Sequence, residues 1–305
     1  MIISISVIIC THNPRPDYIE RVINALKAQT LPLERWELLL IDNASNQSLC
    51  EKINLDWHFN ARHIRENQLG LTYARLRGFK ESQTEVLVFV DDDNVLDQDY
   101  LETTLQISEK WPVLGAWGGQ ILPEFEETPP EWTKPFWINL ALREFEHDKW
   151  SNLLHQDEST PWGAGLCIRR TVAEKYGELV RNDPNRAKLG RSGKSLLSSE
   201  DKDMVFTSCD IGLGTGIFSS LKLTHLIPSN RLQEEYLLKL IEGVGYSSVI
   251  LDSFRGKSPP NYSLKTRLAN YFRRWFLNPR ERRFKDASFR GVNSAIQQLR
   301  SVKSP

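Results

Sequence analysis

The sequence lacks several features that define specialised classes of protein. No stretch approaches the roughly 20 consecutive apolar residues that a membrane-spanning helix needs. The four cysteines are widely spaced without a CxxC pair, so we expect reduced thiols in a cytoplasmic protein rather than a disulfide framework. The formal net charge is +0, so no global field favours nucleic acid or a membrane surface. The first ten residues lack a basic region and a long apolar region, and are expected to form a strand rather than a signal peptide.

The composition is that of an ordinary soluble globular protein. The 305 residues are 40% hydrophobic and 26% charged, which allows one large α/β domain or two smaller ones. In the first third, short β-branched runs alternate with segments of helical periodicity. The predicted strands are residues 4–10, 36–42, 61–65 and 85–90, and the predicted helices are residues 17–29, 71–82 and 97–111. This alternation predicts βαβ units around a mostly parallel sheet flanked by helices.

The rest of the chain has a less regular pattern. Residues 113–122 and 162–169 are expected to form further strands, the second entered through two glycines. Residues 223–228 are expected to end the core, and residues 231–243 to form an amphipathic helix. The segment 128–150 is rich in Pro and Trp and predicts irregular structure, while 181–199 has the polarity of a mobile loop. A helix is expected to begin after Ser199, which is a suitable N-cap.

Three consecutive carboxylates, Asp91, Asp92 and Asp93, directly follow the buried strand 85–90. An apolar strand interior does not stabilise so much charge, so these side chains are expected where the strand emerges at the carboxyl edge of the sheet. Carboxylates this close together repel one another, and a divalent cation such as Mg²⁺ or Mn²⁺ would relieve the repulsion. The alternative is a solvated acidic turn or a helix N-cap. Other polar clusters, Thr11-His-Asn13, Asp42-Asn43 and Asn67, are expected at the same edge.

Two glycine-rich segments resemble nucleotide-binding motifs but do not match them. Gly190-Arg-Ser-Gly-Lys-Ser195 has Lys188 where a phosphate-binding loop needs its first glycine. Gly212-Leu-Gly-Thr-Gly216 is not followed by a helical run within a βαβ unit, so we expect a turn there.

The ordered motifs together resemble family 2 glycosyltransferases of the GT-A fold over roughly residues 4–240. The matching motifs are Ser6-Val-Ile-Ile-Cys-Thr-His-Asn13, Leu39-Leu-Ile-Asp42-Asn-Ala-Ser45, Asn67-Gln-Leu-Gly70 with Arg75, Asp91-Asp-Asp93, Gly163-Ala-Gly165, Glu200-Asp201 and His225. Each motif is weak alone, but their order and spacing make the resemblance specific.

The resemblance implies an inverting transfer of a sugar from a nucleotide-sugar, expected to be a UDP-sugar, to an acceptor hydroxyl. It assigns the donor-binding role to Thr11, His12, Asn13, Asp42, Asn67, Arg75, Asp91 and Asp92, with the specific role of Asp92 left open. It places Trp162, Gly163, Ala164 and Gly165 on the acceptor side, Glu200 and Asp201 at the catalytic position, and Asp93 and His225 on a Mn²⁺ or Mg²⁺ ion.

The chemistry requires neutralisation of the leaving diphosphate and deprotonation of the acceptor. A metal ion held by Asp93 and His225 would act as a Lewis acid, and Arg231 would add a cation for the diphosphate. Asp201 is the preferred general base, with Glu200 and Asp203 as competitors. Alternatives for these residues are a buried core histidine, a solvated arginine and acids that complement the dipole of a helix.

The C-terminal segment from Leu264 onward interleaves basic and aromatic residues. This pattern fits an interfacial membrane anchor, and it slightly favours the alternative of a helical hairpin that packs on the domain. The Trp residues at 132, 137, 150 and 162 suit an acceptor cleft or ordinary core packing. Processive synthases carry Gln-x-x-Arg-Trp, but here Gln297-Gln-Leu-Arg300 is followed by Ser301, which predicts transfer of a single sugar.

The resulting prediction is an α/β, GT-A type protein with a mostly parallel sheet and a helical C-terminal extension. Residues 1–112 are assigned to the nucleotide-sugar half, 113–246 to the acceptor and catalytic half, and 247–305 to the extension. The expected acceptor is a carbohydrate, a lipid-linked molecule or another hydroxyl compound, in polysaccharide or glycoconjugate synthesis. Nucleic acid is not an expected partner, and the expected location is cytoplasmic, with peripheral contact at the inner membrane face as an open alternative. The competing functions are a sugar-phosphate nucleotidyltransferase and a non-catalytic nucleotide- or carbohydrate-binding module.

Overall fold

The computed structural model describes residues 3–193, 195–259 and 276–303. The strands are β1 (Ile5–Thr11), β2 (Trp36–Asn43), β3 (Ala61–Glu66), β4 (Val86–Asp91), β5 (Asn94–Leu96), β6 (Leu114–Phe125), β7 (Lys149–Ser151), β8 (Cys167–Arg169) and β9 (Gly214–Ile227). The α-helices are α1 (Pro16–Lys27), α2 (Leu71–Glu81), α3 (Tyr100–Lys110), α4 (Arg170–Asn182), α5 (Glu200–Asp210), α6 (Glu234–Phe254) and α7 (Pro279–Lys303). Among the described residues, no helix is both long and apolar enough to cross a bilayer.

The strands form one curled sheet in the order β3-β2-β1-β4-β8-β6-β9-β5, with β7 paired to β9. The pairs β1–β2, β1–β4, β2–β3 and β6–β9 are parallel, and the shorter ladders are antiparallel. The predicted α/β class with a mostly parallel sheet and flanking helices is therefore confirmed.

Alternate residues of the central strands pack on opposite faces of the sheet. In β1, Val7 and Ile9 belong to the core under α1 and α3, whereas Ile8 packs with the residues under α2 and α4. A parallel sheet covered on both faces needs near-continuous apolar strands, which is the pattern of β1, β2 and β4. Helix α1 covers its face through the four side chains that its periodicity predicts, Ile19, Val22, Ile23 and Leu26.

The register of the parallel strands brings their polar ends to one edge. Thr11 at the end of β1 is the partner of Asp42 at the end of β2, and Cys10 is the partner of Asp91 at the end of β4. Since the three strands run in the same direction, the residues that follow them lie side by side at the carboxyl edge.

Two antiparallel pairings carry later parts of the chain to this edge. Strand β5 pairs with β9 so that Asn94 is the partner of His225, which sets His225 beside Asp93. Strand β8 runs antiparallel to β4, so the Gly163–Gly165 segment that precedes β8 lies near the carboxyl end of β4. Neither pairing was predicted from the sequence, because β5 has only three residues and each pairing joins segments far apart in the chain. The strand expected over residues 162–169 forms only at its end, as β8.

The C-terminal extension folds back on the domain as a helical pair. Helices α6 and α7 approach each other closely at Gly291, where a side chain would have its Cβ only 2.0 Å from the carbonyl oxygen of Glu242. The absence of a side chain at Gly291 permits this approach. Phe284 of α7 is buried, and its ring stacks on Phe136 at 3.9 Å between centroids. The described part of the extension therefore packs on the domain, while the cations and aromatics between residues 260 and 275 lie outside the described residues. Membrane contact stays a prediction, as does the division at residues 112 and 246.

Several local predictions differ from the structure. The segment 212–216, expected to be a turn, forms a turn only at Gly212, which has a φ of +81°, and then enters β9. The segment 181–199, expected to be a mobile loop, begins with the end of α4 and a 3₁₀ helix, Pro184–Leu189. Ser199 does precede α5, but its hydroxyl donates to the carbonyl of Ser198 instead of capping the helix.

Candidate active site

A pocket of about 490 Å³ lies at the carboxyl edge of the sheet, where the ends of β1 and β4 meet the N-terminus of α5. It contains most of the polar residues that the sequence assigned to the site. The predicted site residues that line it are Thr11, His12, Arg75, Asp91, Asp92, Asp93, Gly163, Ala164, Glu200, Asp201, His225 and Arg231. Asp93 and Asp201, more than 100 residues apart in the chain, therefore share one cavity.

Asp93 is held by an imidazole and a guanidinium. Its carboxylate lies 3.3 Å from Nε2 of His225 and 2.9 Å from Nη2 of Arg231. Asn94 donates a further hydrogen bond of 3.1 Å to the same carboxylate. Burial favours protonation, but the neighbouring imidazole and guanidinium hold the pKa of Asp93 well below its usual range. Asp93 is therefore the acid of the triplet whose ionised form its partners stabilise most.

The other two acids of the triplet are less readily ionised. Burial, reinforced by the charge of Asp93, raises the pKa of Asp92 to about 7, although Thr11 donates a hydrogen bond to it. Burial likewise raises the pKa of Asp91, against the opposing effect of Arg75. The cluster thus carries an electrostatic cost that a bound cation would reduce.

Arg75 links the triplet to the catalytic helix. Its guanidinium is almost fully buried, 3.2 Å from Oε1 of Glu200 and 3.9 Å from Asp91. It also lies over the ring of Phe89, 5.3 Å from the centroid. Burial raises the pKa of Glu200 to about 7 despite this pairing. Glu200 is thus buried in the pocket wall and paired with Arg75.

Asp201 occupies a different position, at the surface of the pocket. Its Oδ2 accepts a hydrogen bond of 2.9 Å from the backbone N–H of Gly163. A Cβ at Gly163 would lie 3.1 Å from that oxygen and 3.0 Å from Nη2 of Arg75. The glycine therefore lets the backbone approach closely enough to orient the carboxylate. Because adjacent residues of a helix point about 100° apart, Glu200 and Asp201 take separate positions.

Asp203, a competitor for the role of base, is fully buried and does not line the pocket. Both of its oxygens lie 2.7 Å from Nη1 of Arg186, and Nε of Arg255 donates a third hydrogen bond of 2.8 Å. Through Arg186 these contacts join α5 to the 3₁₀ helix Pro184–Leu189, and through Arg255 they join α5 to the end of α6. Asp203 thus stabilises the helix that carries Asp201.

Some predicted site residues lie beside the pocket without lining it. Asp42 is buried, and its carboxylate lies 2.6 Å from Arg65. Burial would favour its protonated form, but the hydrogen bonds from Ser45 and Arg65 lower the pKa of Asp42. Asn13 supports the loop after β2 by accepting a hydrogen bond from the backbone N–H of Asn46. Asn67 is exposed and accepts a hydrogen bond from Arg65.

On the acceptor side, Trp162 and Gly165 are also outside the pocket lining. Trp162 packs against the core, with Arg143 over its ring at 5.0 Å from the centroid. Gly165 has a φ of +67°, and its carbonyl accepts a hydrogen bond from the hydroxyl of Tyr100. Of the other tryptophans, Trp132 and Trp137 pack on phenylalanines, and Trp150 is half exposed.

The structure adds residues that the sequence did not assign to the site. Arg191, Ser192, Gly193 and Ser195 line the pocket, although they belong to the glycine-rich segment that fails as a phosphate loop. Asn43 is also part of the lining, and its Oδ1 accepts the backbone N–H of Gly70 at 2.8 Å. The only sequence signal for Arg191 is its position ten residues before Asp201 in a basic, glycine-rich stretch.

Asp93 and His225 are the donors that the pocket offers to a metal ion. Among residues 3–193, 195–259 and 276–303, no group of three or more His, Cys, Asp or Glu side chains assembles a metal site from protein alone. Two donors do converge, since Asp93 Oδ2 and His225 Nε2 lie 3.3 Å apart and face the pocket. A site with two protein ligands suits an ion whose remaining ligands are phosphate oxygens and water. The same two atoms contact the guanidinium of Arg231, so the residues fit a metal that binds together with a diphosphate, to which Arg231 would then turn.

Comparison with known proteins identifies the family. Residues 6–177, more than half of the chain, match the model described as glycosyl transferase family 2. The chain belongs to glycosyltransferase family 2. It is therefore an enzyme that transfers a glycosyl group, and this membership decides against the nucleotidyltransferase and the binding module.

Two curated relatives of this family 2 glycosyltransferase cover most of its length. It is 26% identical over 257 residues to the glucosyl-dolichyl phosphate glucuronosyltransferase of Haloferax volcanii, covering 81% of this chain and 77% of the relative. It is 24% identical over 244 residues to the succinoglycan biosynthesis protein ExoM of Rhizobium meliloti, covering 76% of this chain and 69% of the relative.

A solved structure matches the fold. The structure of S. aureus TarS 1–349 in complex with UDP-GlcNAc superposes with a TM-score of 0.53 at 15% identity, covering 83% of this chain and 72% of that one. Of a longer TarS chain, this protein spans 43%. The likeness confirms the predicted GT-A fold.

Proposed function

We propose that this family 2 glycosyltransferase moves one sugar from a UDP-sugar to an acceptor hydroxyl, with inversion and with the help of a divalent metal. The observation that carries the proposal is the shared cavity of Asp93 and Asp201. One carboxylate is paired with a guanidinium and an imidazole, and the other is oriented by a backbone N–H and lines the pocket. This is the arrangement that displacement of a diphosphate by a hydroxyl requires.

The diphosphate end of the pocket is assigned to Asp93, His225 and Arg231. Asp93 and His225 would hold Mn²⁺ or Mg²⁺, which supplies Lewis acidity to the leaving diphosphate when bound. In the described structure Arg231 lies within 3.1 Å of His225 and 2.9 Å of Asp93, so its positive charge is already at this end. The guanidinium would pair with phosphate oxygens when the donor enters.

The acceptor end is assigned to Asp201. Its Oδ1 and Oδ2 accept hydrogen bonds from the backbone N–H groups of Lys202 and Gly163, which leaves lone pairs for a proton from the acceptor hydroxyl. Proton removal by Asp201 and departure of the diphosphate on the other side of the sugar give one displacement and hence inversion. Glu200, which directly precedes Asp201, is held by its ion pair with Arg75.

The substrate class rests on the relatives. The names of the Haloferax and Rhizobium proteins refer to a dolichyl-phosphate-linked sugar and to succinoglycan biosynthesis. The TarS structure is described as a complex with UDP-GlcNAc. These names support a UDP-sugar donor and an acceptor in polysaccharide or glycoconjugate synthesis.

The test is a transfer assay with UDP-sugars and a labelled acceptor, with Mn²⁺ or with EDTA. The Asp201→Asn variant should lose about 10²- to 10⁴-fold in rate, because it lacks the base, and should still bind UDP. Asp157→Asn is a matched control, since that side chain is 78% exposed and lies outside the pocket.

Transfer by Asp201→Asn at the wild-type rate would contradict the role of the base. Full activity in EDTA would contradict the metal requirement while leaving the base assignment intact. Hydrolysis of the donor alone is a weaker readout, since water reacts slowly without a base.

A further inference from the structure

Arg191 lies in the glycine-rich segment that precedes α5, and it lines the active-site pocket. Its side chain is half-buried, and its charge acts on Asp91, Asp93 and Glu200 by lowering their pKa values. Arg191 therefore adds positive charge to the pocket that the triplet and the first turn of α5 also line.

The backbone around Arg191 is fixed on the first turn of α2. The backbone N–H of Leu71 donates to the carbonyl of Arg191 at 2.9 Å, and the hydroxyl of Ser192 donates to the carbonyl of Leu69 at 3.4 Å. Gly190 packs so tightly that a Cβ there would lie 2.5 Å from Oγ1 of Thr72. These contacts hold Arg191 at the rim of the cavity without using its side chain.

The other arginines of the pocket are already engaged. Arg75 pairs with Glu200 at 3.2 Å, and Arg231 pairs with Asp93 at 2.9 Å. The guanidinium of Arg191 makes no ion pair with a carboxylate of the described residues. A cation that faces an acidic pocket without a fixed partner has donors available for an incoming anion.

We propose that Arg191 binds the diphosphate of the donor, as a second guanidinium opposite Arg231. The inference rests on the proposed nucleotide-sugar function and adds a residue to it. A planar guanidinium offers paired N–H donors that match phosphate oxygens, and an anchored backbone limits the entropy lost when the contact forms. The segment Gly190–Ser195 does not match the phosphate-loop motif, but in this proposal it binds phosphate through the side chain of Arg191.

The test compares nucleoside diphosphates with their nucleosides by calorimetry in EDTA, using UDP, ADP and GDP against uridine, adenosine and guanosine. The wild type should bind at least one diphosphate more tightly than its nucleoside. Arg191→Gln should weaken the binding of that diphosphate by about 10-fold or more and leave the nucleoside within about twofold, as expected for loss of a charged hydrogen bond. Arg191→Lys should give an intermediate value, because it keeps the charge but loses the fork geometry.

Arg181→Gln is the matched control, since Arg181 is exposed at the end of α4 and lies outside the pocket. An unchanged ratio of diphosphate to nucleoside affinity in Arg191→Gln would overturn the inference and leave the proposed function standing. If Arg191→Gln does not fold, Arg191→Lys takes its place in the test. A ratio of diphosphate to nucleoside affinity in Arg191→Lys equal to that of the wild type would then overturn the inference. A wild type that in EDTA binds no diphosphate more tightly than its nucleoside would overturn the inference about Arg191, and the metal-dependent transfer assay would remain the test of the proposed function.

Discussion

At the scale of single residues, the contacts of each carboxylate in the pocket decide what that carboxylate does. Asp93 is paired with His225 and Arg231, Glu200 with Arg75, and Asp201 with a backbone N–H. Chemically similar groups therefore have different partners and occupy different positions in the pocket. Residue type alone left Glu200 and Asp201 as competitors for one role, and their partners separate them.

Gly163 offers a direct test of how Asp201 is oriented. In Gly163→Ala the new methyl group would approach both Arg75 and Asp201 to about 3 Å, which requires the carboxylate to move. We expect a loss of about 10-fold in kcat, because a displacement of a few tenths of an ångström should cost less than the roughly 100-fold of a 1 Å misplacement. Steady-state kinetics should show a smaller change in KM for the donor.

Gly177→Ala is the control for this substitution, since the nearest atoms to a Cβ in that helical position are 3.5 Å away. It should retain activity. Wild-type kcat in Gly163→Ala would contradict the positioning role of the backbone at this residue.

Glu200 predicts a pH dependence of stability. Burial raises its pKa from 4.5 to about 7, so between these values the folded state binds more protons than the unfolded state. Its contribution to stability is fully present below about pH 4.5 and is lost as the pH rises through about 7. Relative to wild type, Glu200→Gln should therefore gain stability as the pH rises, by up to about 1.4 kcal/mol per pH unit.

Urea unfolding of both proteins at pH 5, 6, 7 and 8 measures this difference. A difference in the free energy of unfolding that stays constant across the four values would show that Glu200 has an ordinary pKa.

At the scale of elements, the C-terminal helices combine close backbone contact with an aromatic cluster. Gly245 of α6 and Gly291 of α7 leave no room for a side chain against the backbone of the facing helix. Phe284 packs between Trp132 and Phe136 at the end of the pair near the 3₁₀ helix Glu131–Leu140. The described part of the extension is thereby joined to a segment whose last residue, Leu140, lines the active-site pocket.

Phe284→Ala tests this packing. The side chain is 4% exposed, and deletion of a buried ring should lower the free energy of unfolding by about 3 kcal/mol. Phe276→Ala is a matched control of the same chemistry, since Phe276 is 90% exposed and should change stability by less than about 0.5 kcal/mol. Denaturant unfolding measures both, and equal effects would contradict the packed arrangement of α7.

At the scale of the whole molecule, the sheet brings distant parts of the chain to one edge, and this decides what the sequence could reveal. Strands β1, β2 and β4 were predictable because both of their faces are buried, which makes them continuously apolar. The triplet Asp91–Asp93 was predictable as an edge cluster because three acids do not remain in an apolar strand. Helix α1 was predictable because its apolar residues recur at the spacing of one helical face.

Features that depend on contacts between distant residues were not predictable. The pairing of Asn94 with His225 depends on a three-residue strand whose pattern carries no periodicity. The placement of Arg191 depends on hydrogen bonds to α2, more than 100 residues earlier in the chain. Local sequence also gives no sign that Asp203 is saturated by Arg186 and Arg255, so it remained a competitor for the base.

The central claim is that Asp93 and Asp201 serve the two ends of one donor and acceptor pocket. The most direct measurement is a crystal structure of the Asp201→Asn variant with Mn²⁺ and the UDP-sugar that it binds. The account predicts the diphosphate beside Asp93 and Arg231, with the substituted side chain facing the sugar from the other side. A nucleotide bound elsewhere, for example in the separate cavity between α1 and the segment after β2, would contradict it.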